Sequence, residues 1–293
     1  MENWQIGDVQ IHRVIEFEGP LLPPNVLLPQ ADEESLKPYR AWLEPRLRDP
    51  VTGLLIISFH SFVIRTPGNL ILVDTCGGNN KTRPQKLRYH KKNWPYLENL
   101  AAAGLRPEEI DFVLCTHLHV DHVGWNTRLI NGRWIPTFPN AKYLFAKEEW
   151  DFWNAELKSD QFTDDPFYDD SILPVIEAGQ AVLVGGDHRI DEHVHLEPSP
   201  GHTPGHICVH VRSGQSHAVM SGDLMHHPVQ CAEPDWSSCF CVDPVASAVT
   251  RNNFLEEYSG TPSLVMPAHF PSPGAGRIIE SSTAWRFDFD GEH

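Results

Sequence analysis

The order of elements legible in the sequence predicts an α/β (α+β) protein, a four-layer αββα sandwich in which two sheets pack face to face with helices outside. Three observations carry that reading. Short apolar or alternating segments outnumber helical ones, helices interrupt them at intervals in both halves, and no heptads, low-complexity tracts or short-period repeats occur. Element order alone also permits a doubly wound sheet, so the choice falls to the motifs. With 293 residues the chain can bury a large core, as one large domain or two small ones. The expectation adopted is a single domain over residues 1–293 with an irregular excursion near residues 20–50.

Residues 8–17 alternate well enough to form a half-buried strand. Residues 20–52 are rich in Pro, Leu and charge, with a helix expected over Glu34–Arg46. Strands follow at Leu54–Arg65 and Leu70–Asp74, joined by the turn Thr66-Pro67-Gly68-Asn69. Tyr96–Ala103 reads as a short helix closed by Gly104. Ile110–Cys115 is a compact apolar strand, and Lys142–Ala146 is another, leading into an aromatic helix over Lys147–Leu157. The polar residues 158–170 read as a surface loop before a helix at Ile172–Ala178. The remainder gives strands at 181–184, 193–197, 206–212 and 217–221, a helix at Pro244–Tyr258 and a strand at Leu264–Pro267.

Composition narrows the function. The formal charge of −16 argues against a nucleic-acid partner, which needs a basic face. No apolar run approaches the ~18 residues of a membrane span. Met1–Asp8 lacks the basic and apolar regions of a secretory signal, so a cytoplasmic location is the default expectation. The six cysteines (76, 115, 208, 231, 239 and 241) form no zinc-ribbon spacing and read as reduced, mostly buried thiols. The 17 histidines, several clustered with acids and glycines, point to metal.

The run Thr116-His117-Leu118-His119-Val120-Asp121-His122 follows the strand Ile110–Cys115. Residues two apart at a strand end point the same way, so His117 and His119 can meet one cation. Asp121 and His122, just past the turn, can serve a second. Downstream, His202 lies in the Gly/Pro-constrained run 200–206, Asp223 follows Ala218–Met220, and His269 follows Leu264–Met266. Each stands after an apolar strand, so all can converge on one rim.

In that order the pattern His-x-His-x-Asp-His, His, Asp, His resembles the metallo-β-lactamase-fold superfamily over roughly residues 54–270. The resemblance implies the αββα sandwich and two divalent cations, zinc first, with iron, manganese or cobalt accepted by the same ligands. It places His117, His119 and His202 on one cation and Asp121, His122 and His269 on the other, with Asp223 bridging. It further implies a bridging hydroxide that attacks a lactone or ester carbonyl, with Asp121 returning a proton to the leaving oxygen. Val73-Asp74-Thr75-Cys76-Gly77 resembles the superfamily's early Asp-containing turn, although a glycine usually stands at Cys76. His206 reads as a supporting residue rather than a ligand.

The motif details separate the family's activities. A flavodiiron oxidoreductase would carry a glutamate in place of His119. The zinc β-lactamases usually lack the bridging Asp and are exported, and the tRNA-processing nucleases need a basic surface. Glyoxalase II-like thioesterases carry a further helical region, whereas 24 residues follow His269. The neighbourhoods 117–128, 222–230 and 268–271 are similar to the quorum-quenching N-acyl-homoserine lactonases, in particular the YtnP-like branch. In those lactonases a tyrosine three residues after the bridging Asp helps polarise the substrate. Here His226 holds that place and reads as a substrate-side catalytic residue. The resemblance implies a small-molecule ester or lactone substrate, with a phosphotriesterase or a hydrolytic dehalogenase as the alternative and a non-catalytic metal binder well behind. It also implies a homodimer formed through the 20–50 excursion. Trp125, Trp150, Phe152, Trp153, Phe270 and the segment 20–30 could line an acyl groove, but core packing is the better account of most of them.

Overall fold

A computed structural model describes residues 2–157, 167–281 and 284–291. Its contacts divide the chain into two units: residues up to Phe17 with Phe59–His188, and Glu18–Ser58 with the chain from Arg189 onward. The strands of the first sheet are β1 (Asn3–Ile6), β2 (Val9–Leu22), β3 (Leu55–Arg65), β4 (Leu70–Val73) and β5 (Phe112–Leu114). A separate hairpin, β6 (Thr127–Ile130) and β7 (Arg133–Pro136), precedes the last two, β8 (Lys142–Ala146) and β9 (Ala181–Val184). The sheet order is β1-β2-β3-β4-β5-β8-β9. From β4 to β9 the pairing is parallel. Parallel neighbours need long crossovers, and these carry the helices Tyr96–Ala102 and Lys147–Glu156. β3 and β4 are buried almost throughout, as their near-continuous apolar runs require.

The second unit holds a six-stranded sheet in chain order: β10 (Val194–Pro198), β11 (Ile207–Ser213), β12 (Ser216–Gly222), β13 (Leu264–Pro267), β14 (Gly276–Glu280) and β15 (Trp285–Phe289). Only β12 and β13 pair in parallel. Their crossover carries the helix Pro244–Tyr258, capped by Asp243, whose carboxylate accepts from the Val245 and Ala246 amides.

Two sheets rather than one exclude the doubly wound alternative, and the mixed α/β class agrees with the sequence. Several elements differ from expectation. The helix expected over Glu34–Arg46 is broken into Glu33–Leu36, a 3₁₀ turn at Lys37–Tyr39, and Arg40–Leu43. Pro38 removes a helical donor there, and Glu44, preceding Pro45, is extended. Of the loop expected over 158–170, residues 158–166 lie outside the described residues. Phe167–Ser171 is helical, because Asp170 and Ser171 turn inward onto a buried arginine. Among the described residues no helix is long and apolar enough to cross a membrane.

Candidate metal centre

In the first unit, parallel register brings the ends of β4 and β5 together, with Val73 opposite Leu114. Asp74 therefore leaves its strand beside Thr116. The Asp74 amide donates to Leu114 O at 2.8 Å, and the Thr116 amide donates back to Asp74 Oδ1 at 2.8 Å. Asp74 adopts a left-handed backbone, φ 58°, a conformation Asp tolerates better than most residues. Its Oδ2 lies 2.9 Å from His122 Nδ1. A carboxylate already accepting from Thr116 makes His122 Nδ1 the donor, so Nε2 carries the lone pair and is free to ligate a cation there. His117 and His122 stack with centroids 4.0 Å apart, and His117 Nε2 lies 3.0 Å from His119 Nδ1. Glu149 clamps the middle of the run: Leu118 N donates to its Oε1 at 3.0 Å, and Trp153 Nε1 donates to the same oxygen at 2.7 Å. Half-buried Asp121 accepts a 2.8 Å hydrogen bond from the Tyr89 hydroxyl at Oδ2. Burial, with the Asp121 charge behind it, holds that hydroxyl well above the ordinary tyrosine range.

The turn beneath this run is built on close backbone approach. Gly124 N donates to Cys76 O and Trp125 N to Thr75 O, each at 2.7 Å. Glu16 accepts from the Gly77 and Gly78 amides and from Trp125 Nε1. Burial pushes its carboxyl up to about 7, against the pull of those three donors. Cys76 has φ 48°, which explains why a glycine suits this place. Its thiol is buried against Ser61, and burial pushes it up.

In the second unit, His202 precedes β11, Asp223 follows β12 and His269 follows β13. Register places all three at one end of the sheet, with Gly222 opposite Pro267 and Met220 opposite Val209. Asp223 is the focus. His202 Nε2 and His226 Nε2 lie 3.3 and 3.2 Å from its Oδ2, and His269 Nε2 lies 3.1 Å from its Oδ1. His206 is not among these imidazoles; its Nε2 accepts from the Asp223 amide at 3.0 Å while Nδ1 meets Ser199 Oγ at 2.7 Å. That matches the supporting part read from the sequence. The His202 loop is pinned by Val242 N to His202 O and by Asp243 N to Gly201 O. Gly201, at φ 130°, leaves no room for a side chain: a Cβ would stand 2.2 Å from Ser247 N.

The donor chemistry fits a cation. His269 Nδ1 lies 3.1 Å from the Ser58 carbonyl oxygen, which can only accept, so Nδ1 carries the hydrogen. Nε2 of the neutral ring then presents a lone pair to a carboxylate at 3.1 Å, a repulsive pair without positive charge between them. Ligands at ~2.0–2.2 Å from a tetrahedral ion are separated by about 3.4 Å, close to the 3.1–3.3 Å found around Asp223.

The aromatic residues considered for an acyl groove are mostly core. Trp125 is buried and stacks on Tyr96, Trp153 is buried with its edge toward the His119 ring, and Phe270 packs against Phe287. Trp150 and Phe152 are half-buried. Three residues of this layer have no part in the sequence reading, Glu16, Tyr89 and Glu149, and Cys241, read there only as a thiol, has its Sγ 3.6 Å from His202 Nδ1. Glu149 carried a signal, an acid four residues before Trp153 in an aromatic helix. Tyr89 carried none.

Residues 60–269 match the family model described as "Metallo-beta-lactamase superfamily". The chain belongs to that superfamily. Membership implies divalent metal ions, which the donor set accommodates. Among curated superfamily relatives, N-acyl homoserine lactonase AiiA of Bacillus thuringiensis subsp. kurstaki is 26% identical over 121 residues, 41% of this chain. The match spans 40% of that relative's length. N-acyl homoserine lactonase AttM of Rhizobium radiobacter is 25% identical over 249 residues, 73% of this chain and 82% of the relative. The structure of AidC, a dizinc quorum-quenching lactonase in complex with a product, superposes with a TM-score of 0.80 at 20% identity, covering 100% of this chain and 98% of that one. That likeness shows the fold.

Proposed function

We propose that the chain is a dinuclear metal-dependent hydrolase that opens a lactone or cleaves an ester, with acyl-homoserine lactones and aryl esters as the substrate class. The observation that carries this is Asp223, one carboxylate faced by three imidazole nitrogens at 3.1–3.3 Å, one of them held in its ligating tautomer by Ser58. His117, His119 and His202 hold one cation, Asp121, His122 and His269 hold the other, and Asp223 is shared; zinc is the first choice. When bound, the pair supplies hydroxide near neutral pH and a Lewis acid for the carbonyl oxygen. Asp121 accepts the proton released as the C–O bond breaks and delivers it to the leaving alkoxide, so the ester and one water become an acid and an alcohol. His226, within reach of the same carboxylate as the ligands, orients the substrate carbonyl. The similarity to lactonases favours this substrate class. The single-domain organisation, a homodimer using residues 20–50 and a cytoplasmic location belong to the same proposal.

Metal analysis with a substrate panel tests the reading. About two metal ions per chain, hydrolysis of acyl lactones or aryl esters and its loss on chelation are expected. A chain that binds no metal, or that turns over paraoxon-like triesters while sparing every carboxylic ester, refutes it.

A further inference from the structure

Tyr89 lies in a segment tied down by several hydrogen bonds. Residues 80–92 form a closed loop: Asn80 N donates to Lys92 O, Lys91 N to Lys81 O, and Arg83 N to His90 Nδ1. Its base is fixed by two fully buried cations. Arg83 makes a two-pronged contact with Asp170 at 2.6 and 2.7 Å, and Lys81 Nζ donates to Thr127 Oγ1 at 2.6 Å and Asp170 O at 2.7 Å. Lys81 also sits 3.7 Å from the centroid of the Trp134 ring. Burying two such cations is costly, and here both are met by Asp170, which ties the base of the loop to the helix Phe167–Ser171. At its tip Tyr89 N closes a turn on Lys86 O at 2.8 Å, and the ring packs on Phe59, centroids 5.3 Å apart. A side chain at Gly77 would press on it, since a Cβ there would stand 3.2 Å from Tyr89 Cδ1. With 6% of its surface exposed, Tyr89 has one polar atom to place, and places it on Asp121 Oδ2.

We propose that Tyr89 is a positioning residue: its hydroxyl fixes Asp121 Oδ2 and thereby presents Oδ1 to cation and substrate. The inference rests on the roles proposed above for Asp121. A carboxylate on a two-bond side chain otherwise turns about its Cβ–Cγ bond, and either oxygen can take either part. A charge-assisted O–H···O⁻ bond from a buried donor packed on Phe59 removes that freedom before substrate arrives. Tyr89 touches neither the reacting atoms nor the metal, so its effect appears in the turnover step and in the electronic environment of the second cation, and not in substrate affinity.

The test compares Tyr89→Phe with wild type, both metal-loaded, on the best substrate of the panel. Phe keeps the packing on Phe59 and Gly77 and deletes only the hydroxyl. Expected are about two metals per chain and an unchanged melting temperature. kcat should fall about 10- to 100-fold with KM held within about threefold. In the cobalt-loaded protein the visible absorption of one of the two sites should shift. Unchanged kcat with an unchanged cobalt spectrum overturns the inference, as does a loss of rate that follows metal content or folded fraction. If the wild type neither binds metal nor hydrolyses the panel, the function fails and the inference with it; an active wild type matched by Tyr89→Phe defeats the inference alone.

Discussion

Replacing Gly124 by Ala tests whether the backbone turn under the histidine run sets the metal ligands. A Cβ on Gly124 would lie 2.0 Å from Gly77 C, 2.1 Å from Gly77 O and 2.4 Å from Gly78 N. Those are main-chain atoms and cannot swing aside, so reaching an ordinary contact of about 3.4 Å requires the strands of this turn to part by about 1.4 Å. The separation stretches the Gly124 N to Cys76 O and Trp125 N to Thr75 O bonds, both 2.7 Å. Overpacking costs ~1–3 kcal/mol and each strained hydrogen bond about 1 kcal/mol, for a total of roughly 3–5 kcal/mol. For a chain of this size that lowers the melting temperature by roughly 6–20 °C. His122 stands two residues away, and a displacement on the order of 1 Å at a ligand is enough for about a hundredfold loss of rate. Gly132→Ala is the control: Gly132 has φ 77° but nothing within 4 Å of a Cβ, so it bears only the backbone penalty of ~1–2 kcal/mol. Thermal denaturation and metal content measured on both variants decide the matter. A Gly124→Ala protein that melts with wild type and keeps its metal would show that the turn yields easily and the reasoning is wrong.

Two further perturbations lie away from the metal ligands. Asp170→Asn leaves Arg83 and Lys81 buried without their anion and should cost about 3–5 kcal/mol near neutrality. Burial, partly offset by Asp170, lowers Lys81 to about 7, below its unfolded value of 10.5, so its contribution is present above 10.5 and lost as pH falls through 7. Without Asp170 the Lys81 amine sits lower still, so the deficit of Asp170→Asn should shrink as pH rises toward about 7, where Lys81 loses its charge in the folded wild type too, and level off above it; a deficit that does not change between about pH 5 and 7 in denaturant titrations would contradict this. In the second unit, His210 stacks between His195 and His217, centroids 4.8 and 5.3 Å away. Burial lowers His210 to about 3 and His217 to about 4, both below the ordinary imidazole value of 6.5. A depressed folded pKa gives stability that is present above 6.5 and lost as pH falls toward 4, at up to ~1.4 kcal/mol per pH unit per proton. His210→Phe should flatten that acid slope relative to wild type, and equal slopes would exclude the stack as its source.

That the histidine run and its three downstream partners stand at strand ends was legible, because a spacing of two residues survives any error in element boundaries. The hairpin of β6 and β7 was legible too, and missed. Asn131 and Gly132 both have positive φ, 50° and 77°, the two-residue turn that the dipeptide Asn-Gly signals. β14 and the edge strand β15 were missed as well, although Trp285-Arg286-Phe287-Asp288-Phe289 alternates as a half-buried strand does and buries Phe287 and Phe289. The broken helix in the 20–50 excursion shows proline chemistry overriding a helical composition. Glu16 lies in an alternating strand at a position that reads as ordinary, and only the fold reveals that it closes on the Gly77 and Gly78 amides.

What sequence order could not carry is the layer that fixes the ligands' orientation. Each candidate imidazole has two nitrogens, and a motif says nothing about which one would face an ion. The structure supplies that choice from outside the motif: Asp74 holds His122 by Nδ1, the Ser58 carbonyl holds His269 by Nδ1, and the Thr116 hydroxyl stands 3.1 Å from His117 Nδ1. All three leave Nε2 to face inward. The same economy explains Tyr89, since a carboxylate ligand, like an imidazole, has two candidate atoms and needs a partner on one to define the other. These partners come from residues 58, 74, 89 and 116, at no constant spacing from the ligands they orient. They are set by strand register and by a loop clasped on buried charge, quantities that exist only once the chain has folded.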